Sequence, residues 1–228
     1  MNKKAFTLAE VMITLGIIGI VAALTLPSLM AGYKRHRAIV EFKSAYSVLA
    51  QAVEQSKADN GDVENWDWTL NTAGFVDKYF MPYLKISRNC GTIQKTCWKP
   101  DNMARYANGT VWESFSDSNH YTAILSNGRF LEFHKQDNKH IHIFIGIGST
   151  KQPKKEGINQ LLFTLMNSQF NEPGLFVDTK EGLLHTYGHG LPESTLANNC
   201  KKGASGTYCG ALYILNGWNI PSSVNYSF

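Results

Sequence analysis

The chain has 228 residues, 18% of them charged and 43% hydrophobic, which excludes a disordered or low-complexity protein and leaves room for one domain with an appendage. Its formal charge of +4 is local: residues 1–45 hold Lys3, Lys4, Lys34, Arg35, Arg37 and Lys43 against two carboxylates, and the remainder is balanced. The body lacks the basic surplus that nucleic acid requires, so a nucleic-acid partner is not indicated.

From Phe6 to Ala31 the chain runs 26 residues with Glu10 as its only ionisable side chain. As a helix this stretch is roughly 39 Å long, enough to cross a bilayer. A cleaved secretion signal has an apolar core of only about 7–15 residues and a small-x-small site after it, and "TLPSLMAGYK" offers no good site. A plain signal anchor explains the length but not the carboxylate. A charge at the centre of a membrane helix costs on the order of 2.5–3.5 kcal/mol, and less towards the interface. No basic side chain follows Glu10 within a helical turn, and Lys3 and Lys4 lie six or seven residues back. A cut before Phe6 would create an amine four residues ahead of Glu10, at a helix N-terminus where negative charge is also favoured. Gly16, Gly19, Ala22 and Ala23 add small residues at spacings that permit close helix packing in lipid. Pro27 removes an intrahelical hydrogen bond and is expected to kink or open the helix.

The stretch "KKAFTLAEVMITLGIIGIVAALTLPSLM" resembles the N-terminus of type IV prepilins and type II secretion pseudopilins: a short basic leader, a small residue, F-T-L-x-E and an apolar helix. The resemblance implies a cut between Ala5 and Phe6 by a prepilin peptidase on the cytoplasmic side, and N-methylation of Phe6. The residue before the cut is usually Gly in that family, and here it is Ala5. Glu10 then becomes the fifth residue of the mature chain, pairing with the Phe6 amine of a neighbouring subunit. The family's helix Gly and Pro fall at Gly19 and Pro27, which implies an option to lose helical order between them in a filament. The implied partners are the peptidase, other pilin or pseudopilin subunits and an inner-membrane assembly platform. The implied location is the bacterial inner membrane, with the head outside, and then a filament.

The basic cluster "YKRHR" follows, three charges against two in the leader, so that counting alone leaves the orientation open. It also suits lipid head groups. Ala38, Phe42, Ala45, Val48, Leu49, Ala52 and Val53 then recur at spacings of three and four, predicting a helix that continues to Asn60-Gly61. The expected division is a leader over 1–5, an apolar helix over 6–31, its amphipathic continuation over 32–60 and a globular head over 61–228. Within the head, residues 67–85 suit a short helix with Phe75, Val76, Tyr79, Phe80 and Tyr83 on one side. Residues 121–135 alternate about Asn127-Gly128, predicting a type I′ hairpin; 140–148 and 161–166 add two strands. The fold class is therefore α+β: a long N-terminal helix on a small antiparallel sheet, a pilin-like layout. "STKQPKKEG" (149–157) reads as an exposed loop.

Cys90, Cys97, Cys200 and Cys209 lack CxxC spacing; read with an export signal, they suit two local disulfides, although four cysteines permit three connectivities. Each short loop would contribute about 2–3 kcal/mol. His140 and His142, with His134 nearby, have strand spacing for a metal pair, but no third ligand is spaced to join them and they are expected to face solvent. His185 and His189 read the same way in a loop. "GIGST" lacks a phosphate-binding lysine, and no nucleophile signature occurs. No catalytic residue, metal or cofactor is expected. The five tryptophans (Trp66, Trp68, Trp98, Trp112 and Trp218) are expected mostly in packing. A structural filament subunit is the leading reading. The alternative is a membrane-anchored extracellular binding protein that never polymerises.

Overall fold

A computed structural model describes residues 7–92, 97, 103–114, 118–135, 137–148, 154–170, 184–221 and 224. The leader, the expected cut between Ala5 and Phe6, Trp98 and residues 149–153 lie outside them, as does the side chain of Trp112.

One helix, α1 (Leu8–Asn60), runs 53 residues. It ends at Gly61, whose φ of 79° suits glycine and whose N–H bonds the Lys57 carbonyl at 2.9 Å. Pro27 lies inside the helix, which continues through it. Nearby, the Thr25 and Ser28 hydroxyls donate back to the Val21 and Thr25 carbonyls, both at 2.9 Å. The two halves of α1 meet different surroundings. Up to Arg37 nearly every residue is exposed, whereas Ala38, Ile39, Phe42, Ala45, Leu49, Ala52, Val53 and Ser56 are buried. That stripe is the one the spacing predicts, with Val48 only partly buried beside it.

The chain then makes a 3-10 turn (Val63–Asn65), helix α2 (Thr72–Tyr79) and a second 3-10 turn (Met81–Tyr83). The single helix expected over 67–85 is shorter for two local reasons. Asn71 starts it late, its Oδ1 accepting from the Gly74 N–H at 2.8 Å, and Pro82 has no backbone N–H with which to carry the α-helix further. Trp66 stacks on Tyr79 with ring centroids 4.3 Å apart, and Phe75 packs against Trp66, Trp68 and Tyr79. The Trp66 and Trp68 indoles donate to the Gly61 and Val63 carbonyls, so both buried N–H groups are satisfied.

The sheet is larger than the sequence suggests. Strands β1 (Ile86–Gly91), β4 (His120–Leu125), β5 (Phe130–His134), β6 (His140–Gly146), β7 (Gln160–Met166) and β8 (His185–Thr186) form it in the order β1-β4-β5-β6-β7-β8, every pair antiparallel. β2 (Met103–Arg105) and β3 (Val111–Ser114) make a separate two-stranded ribbon. One face presents Tyr121, Leu131, Phe133, Ile141, Ile143, Ile145, Phe163 and Leu165, which join the helices in one core. Tyr46 of α1 packs on Phe163 at 5.7 Å, and Phe80 packs on Phe133 at 4.9 Å. Edge strand β1 is interrupted by two register shifts against β4, irregularities that discourage pairing with another chain.

The β4–β5 connection is not the expected type I′ turn. The Leu125 N–H donates to the Arg129 carbonyl at 2.9 Å, which leaves Ser126, Asn127 and Gly128 as a three-residue loop. Gly128 has φ +81°, whereas among the described non-glycine residues only Trp218 has positive φ. A type I′ turn needs both central residues there. Asn127 instead uses its side chain, Oδ1 accepting from the Arg129 N–H at 3.1 Å.

Helices α3 (Glu193–Asn199) and α4 (Cys209–Leu215) close the head, linked by the Cys200–Cys209 pair with Cα atoms 5.4 Å apart. Cys90 and Cys97 are likewise paired, with Cα atoms 5.8 Å apart. The Cys200–Cys209 loop sits tightly on the 154–160 segment: a Cβ added at Gly206 would meet the Glu156 carbonyl oxygen at 2.5 Å. Helix α4 ends in a Schellman motif, with Gly217 donating to Ile214 at 3.0 Å and Trp218 to Tyr213 at 2.7 Å.

Candidate functional site

Glu10 occupies the first turn of α1. Its Oε2 accepts from the Thr7 N–H at 2.9 Å and the Thr7 hydroxyl at 2.8 Å, while Thr7 Oγ1 accepts from the Glu10 N–H at 3.3 Å. This is a capping box, with Thr7 as N-cap in extended backbone. The carboxylate therefore satisfies donors at the start of its own helix. Its Oε1 makes no hydrogen bond among the described residues, and the side chain is exposed. A search for a cationic partner overlooks the cap, although Thr7-Leu8-Ala9-Glu10 carries the signature openly.

Beyond this turn the surface is continuous and apolar. Leu8, Met12, Ile13, Leu15, Ile17 and Ile20 are all exposed, and so are Leu24 and Leu29 further along. A Cβ added at Gly16 or Gly19 would meet nothing within 4 Å, so the subunit alone leaves those notches open. By length and composition α1 is long and apolar enough to cross a membrane, and its apolar window is not buried at all within the subunit.

The head carries a second concentration of chemistry, on the sheet face turned away from α1. Register aligns His120, His134, His142, Thr164 and His185 across five strands. His120 Nδ1 lies 2.7 Å from Glu132 Oε1, its ring 4.0 Å from that of His134, and His142 Nδ1 lies 2.9 Å from the Thr164 hydroxyl. His140 and His142 are buried, which corrects the expectation that they face solvent: the sheet is covered on both faces. His185 is buried as well, and His189 partly so, their rings 4.7 Å apart. Burial holds the His140 imidazole below the usual histidine range and outweighs the nearby Asp137 carboxylate. Among the described residues no group of three or more His, Cys, Asp or Glu side chains is arranged to hold a metal ion.

The 149–157 segment is also not simply an exposed loop. Lys154 and Glu156 are buried. The Lys154 stem crosses Gly146, where an added Cβ would meet its Cε at 3.0 Å, and its ammonium donates to the Ile147 carbonyl at 2.8 Å. Burial brings the Lys154 pKa down to about 8. Glu156 Oε2 accepts from the Thr207 hydroxyl at 2.7 Å, a further tie to the Cys200–Cys209 loop.

Comparison with known proteins divides the chain in two. Residues 28–228 match a family described as a family of unknown function (DUF6613). Residues 1–26 match the prokaryotic N-terminal methylation motif, which supports the type IV prepilin and pseudopilin family. The motif implies processing by a prepilin peptidase and assembly with other pilins. No curated protein and no solved structure matches the chain.

Proposed function

The chain belongs to the family of unknown function DUF6613, headed by a prepilin-type methylation motif, and on that premise we propose that it is a structural subunit of a type IV filament, a pilus or a secretion pseudopilus. The peptidase cuts between Ala5 and Phe6 and methylates Phe6. The apolar half of α1 holds the subunit in the inner membrane with the head outside, until an assembly platform extracts it. In the filament the α1 segments form the core and the heads the outer surface.

The observation that carries this reading is the first turn of α1. Glu10 stands on an otherwise apolar, exposed helix of membrane length, with Oε2 engaged by Thr7 and Oε1 open. A carboxylate so placed both caps its own helix and receives the methylated Phe6 amine of a neighbour, so that assembly leaves neither charge uncompensated in an apolar core. Gly16 and Gly19 permit close helix approach beside it.

Mass spectrometry of the mature N-terminus tests the proposal. The expected product begins at N-methyl-Phe6; an intact Met1 terminus, or a cut beyond residue 30, would overturn it.

A further inference from the structure

Five of the seven histidines lie on the sheet face turned away from α1, and a sixth, His189, reaches the ring of His185. Strand register sets His120, His134, His142, Thr164 and His185 in one row, with His140 beside His142 at a ring distance of 4.6 Å. The five on strands are at most 8% exposed. Two aromatic rings pack against them, Phe170 on His140 at 4.2 Å and Tyr187 on His142 at 5.6 Å. The slightest element of this face is β8. It is two residues long, pairs with β7 at Phe163–Thr186 and Thr164–His185, and carries His185 into the row with Tyr187 directly after it. An edge strand that short opens at lower cost than β4 to β7.

A buried row of imidazoles is stable only while most of it is neutral. One proton has a place: His120 Nδ1 lies 2.7 Å from Glu132 Oε1, and a charged His120 would balance that carboxylate. A further proton on His134 would set two cationic rings 4.0 Å apart. His140 lies 3.0 Å from Asp137, yet the charge of Lys135 opposes a proton there and burial outweighs the carboxylate. Attraction of a cation to the Phe170 and Tyr187 rings is smaller than the desolvation of a buried cation. Lys139, next to His140, is exposed, and Lys154 and Glu156 sit at the far end of these strands beside Gly146 and Gln160.

We propose that this face is a proton switch: β8 and Tyr187 close over it at neutral pH, and the protons it takes up in acid release them, exposing a cationic row of imidazoles. The open form binds protons better than the closed one. An imidazole that burial holds below its ordinary value of 6.5 regains that value on opening, so the closed form loses its advantage as the pH falls below it. The switch lies within the head and needs neither the cut before Phe6 nor assembly.

The test uses the full chain in phosphatidylcholine nanodiscs, read by amide hydrogen exchange from about pH 7.5 down to about pH 5 with intrinsic rates divided out. Protection over residues 185–189 is expected to fall about ten-fold for each imidazole whose proton affinity the closed form lowers by one unit, with a midpoint between about pH 5 and 6.5. Residues 38–53 of α1 are expected to keep theirs. His140→Asn combined with His142→Gln should hold the neutral-pH protection and lose most of the acid response. Should that double variant fold poorly, deuterium exchange at the histidine C2 positions of the wild-type chain decides, since the imidazoles must titrate together with the loss of protection. Unchanged protection down to about pH 5, a midpoint near the carboxylate range of about 4, an equal acid response in a folded double variant, or a loss shared by α1 would each overturn the proposal. Failure of the filament reading would show separately, as an unprocessed N-terminus in cells.

Discussion

Glu10→Gln separates the capping role that Glu10 has in the structure from the charge pairing proposed for the same side chain. Glutamine keeps the capping box, since its carbonyl oxygen accepts the Thr7 bonds that Glu10 Oε2 accepts at 2.8 and 2.9 Å. It cannot neutralise a Phe6 amine. An amine left uncompensated in an apolar core costs on the order of 2.5–3.5 kcal/mol. At about 1.4 kcal/mol per factor of ten, subunit incorporation falls roughly 100-fold. Losing the cap alone costs about 1 kcal/mol, roughly five-fold. Thr7→Val, which removes only the hydroxyl contacts, should therefore incorporate several-fold less well than wild type, Glu10→Gln far less, and Glu10→Ala least. Each variant is expressed with its assembly machinery, its N-terminus is read by mass spectrometry, and its share in the sheared filament fraction is compared with its share in membranes. Processing should survive in all three. Wild-type incorporation of Glu10→Gln beside poor incorporation of Thr7→Val would refute the charge-pair argument and leave capping as the role of the residue.

Phe42 is fully buried against the ring of Tyr213, so Phe42→Ala should cost about 3–5 kcal/mol, seen as a fall in melting temperature with the apolar half of α1 unchanged. Replacing Cys200 and Cys209 together by serine should cost about 2–3 kcal/mol, and reducing agent should lower the melting temperature of the wild-type chain but not of a variant lacking both pairs. Lys154 gives a pH signature. Its folded-state pKa lies near 8, below the ordinary lysine value of 10.5, so between those values the unfolded chain binds the extra proton and stability rises with pH. Lys154→Met should remove that rise in melts taken from pH 8 to 10; an unchanged slope would count against a buried ammonium.

What the sequence discloses depends on how local the cause is. The α1 stripe from Ala38 to Val53 is legible because burial on one helix face imposes its own spacing. Strands β4 to β7 are legible as strands for the same reason, but their second face is not. His140 and His142 alternate as residues of a wetted face would, and only the registration of four neighbouring strands shows Thr164, His134 and Glu132 among them. Edge strand β1 carries Ser87, Arg88 and Asn89 on a bulged backbone, so no alternation survives to be read. Lys154 looks like a loop residue because its burial depends on a glycine in another strand, Gly146, over which its stem lies. At the candidate site the reverse holds. The anchor, the carboxylate and the small residues are contiguous in sequence, whereas the packing of Trp218 on Tyr46 of α1, ring centroids 5.6 Å apart, joins positions far apart in the chain and has no linear trace.

The unbroken course of α1 has a mechanical meaning. Leu8 to Asn60 is one rod, and no loop intervenes between the lipid-length half and the half embedded in the head. The azimuth of the head about the axis is therefore tied to the faces that Glu10, Gly16 and Gly19 present to neighbours. With 3.6 residues per turn, deleting Gly32 or Tyr33 would swing the head by about 100° relative to the apolar half while keeping the contacts of Arg35 and the residues after it. Such a chain would fold, insert and be cut normally, and still point its outer surface the wrong way along a filament.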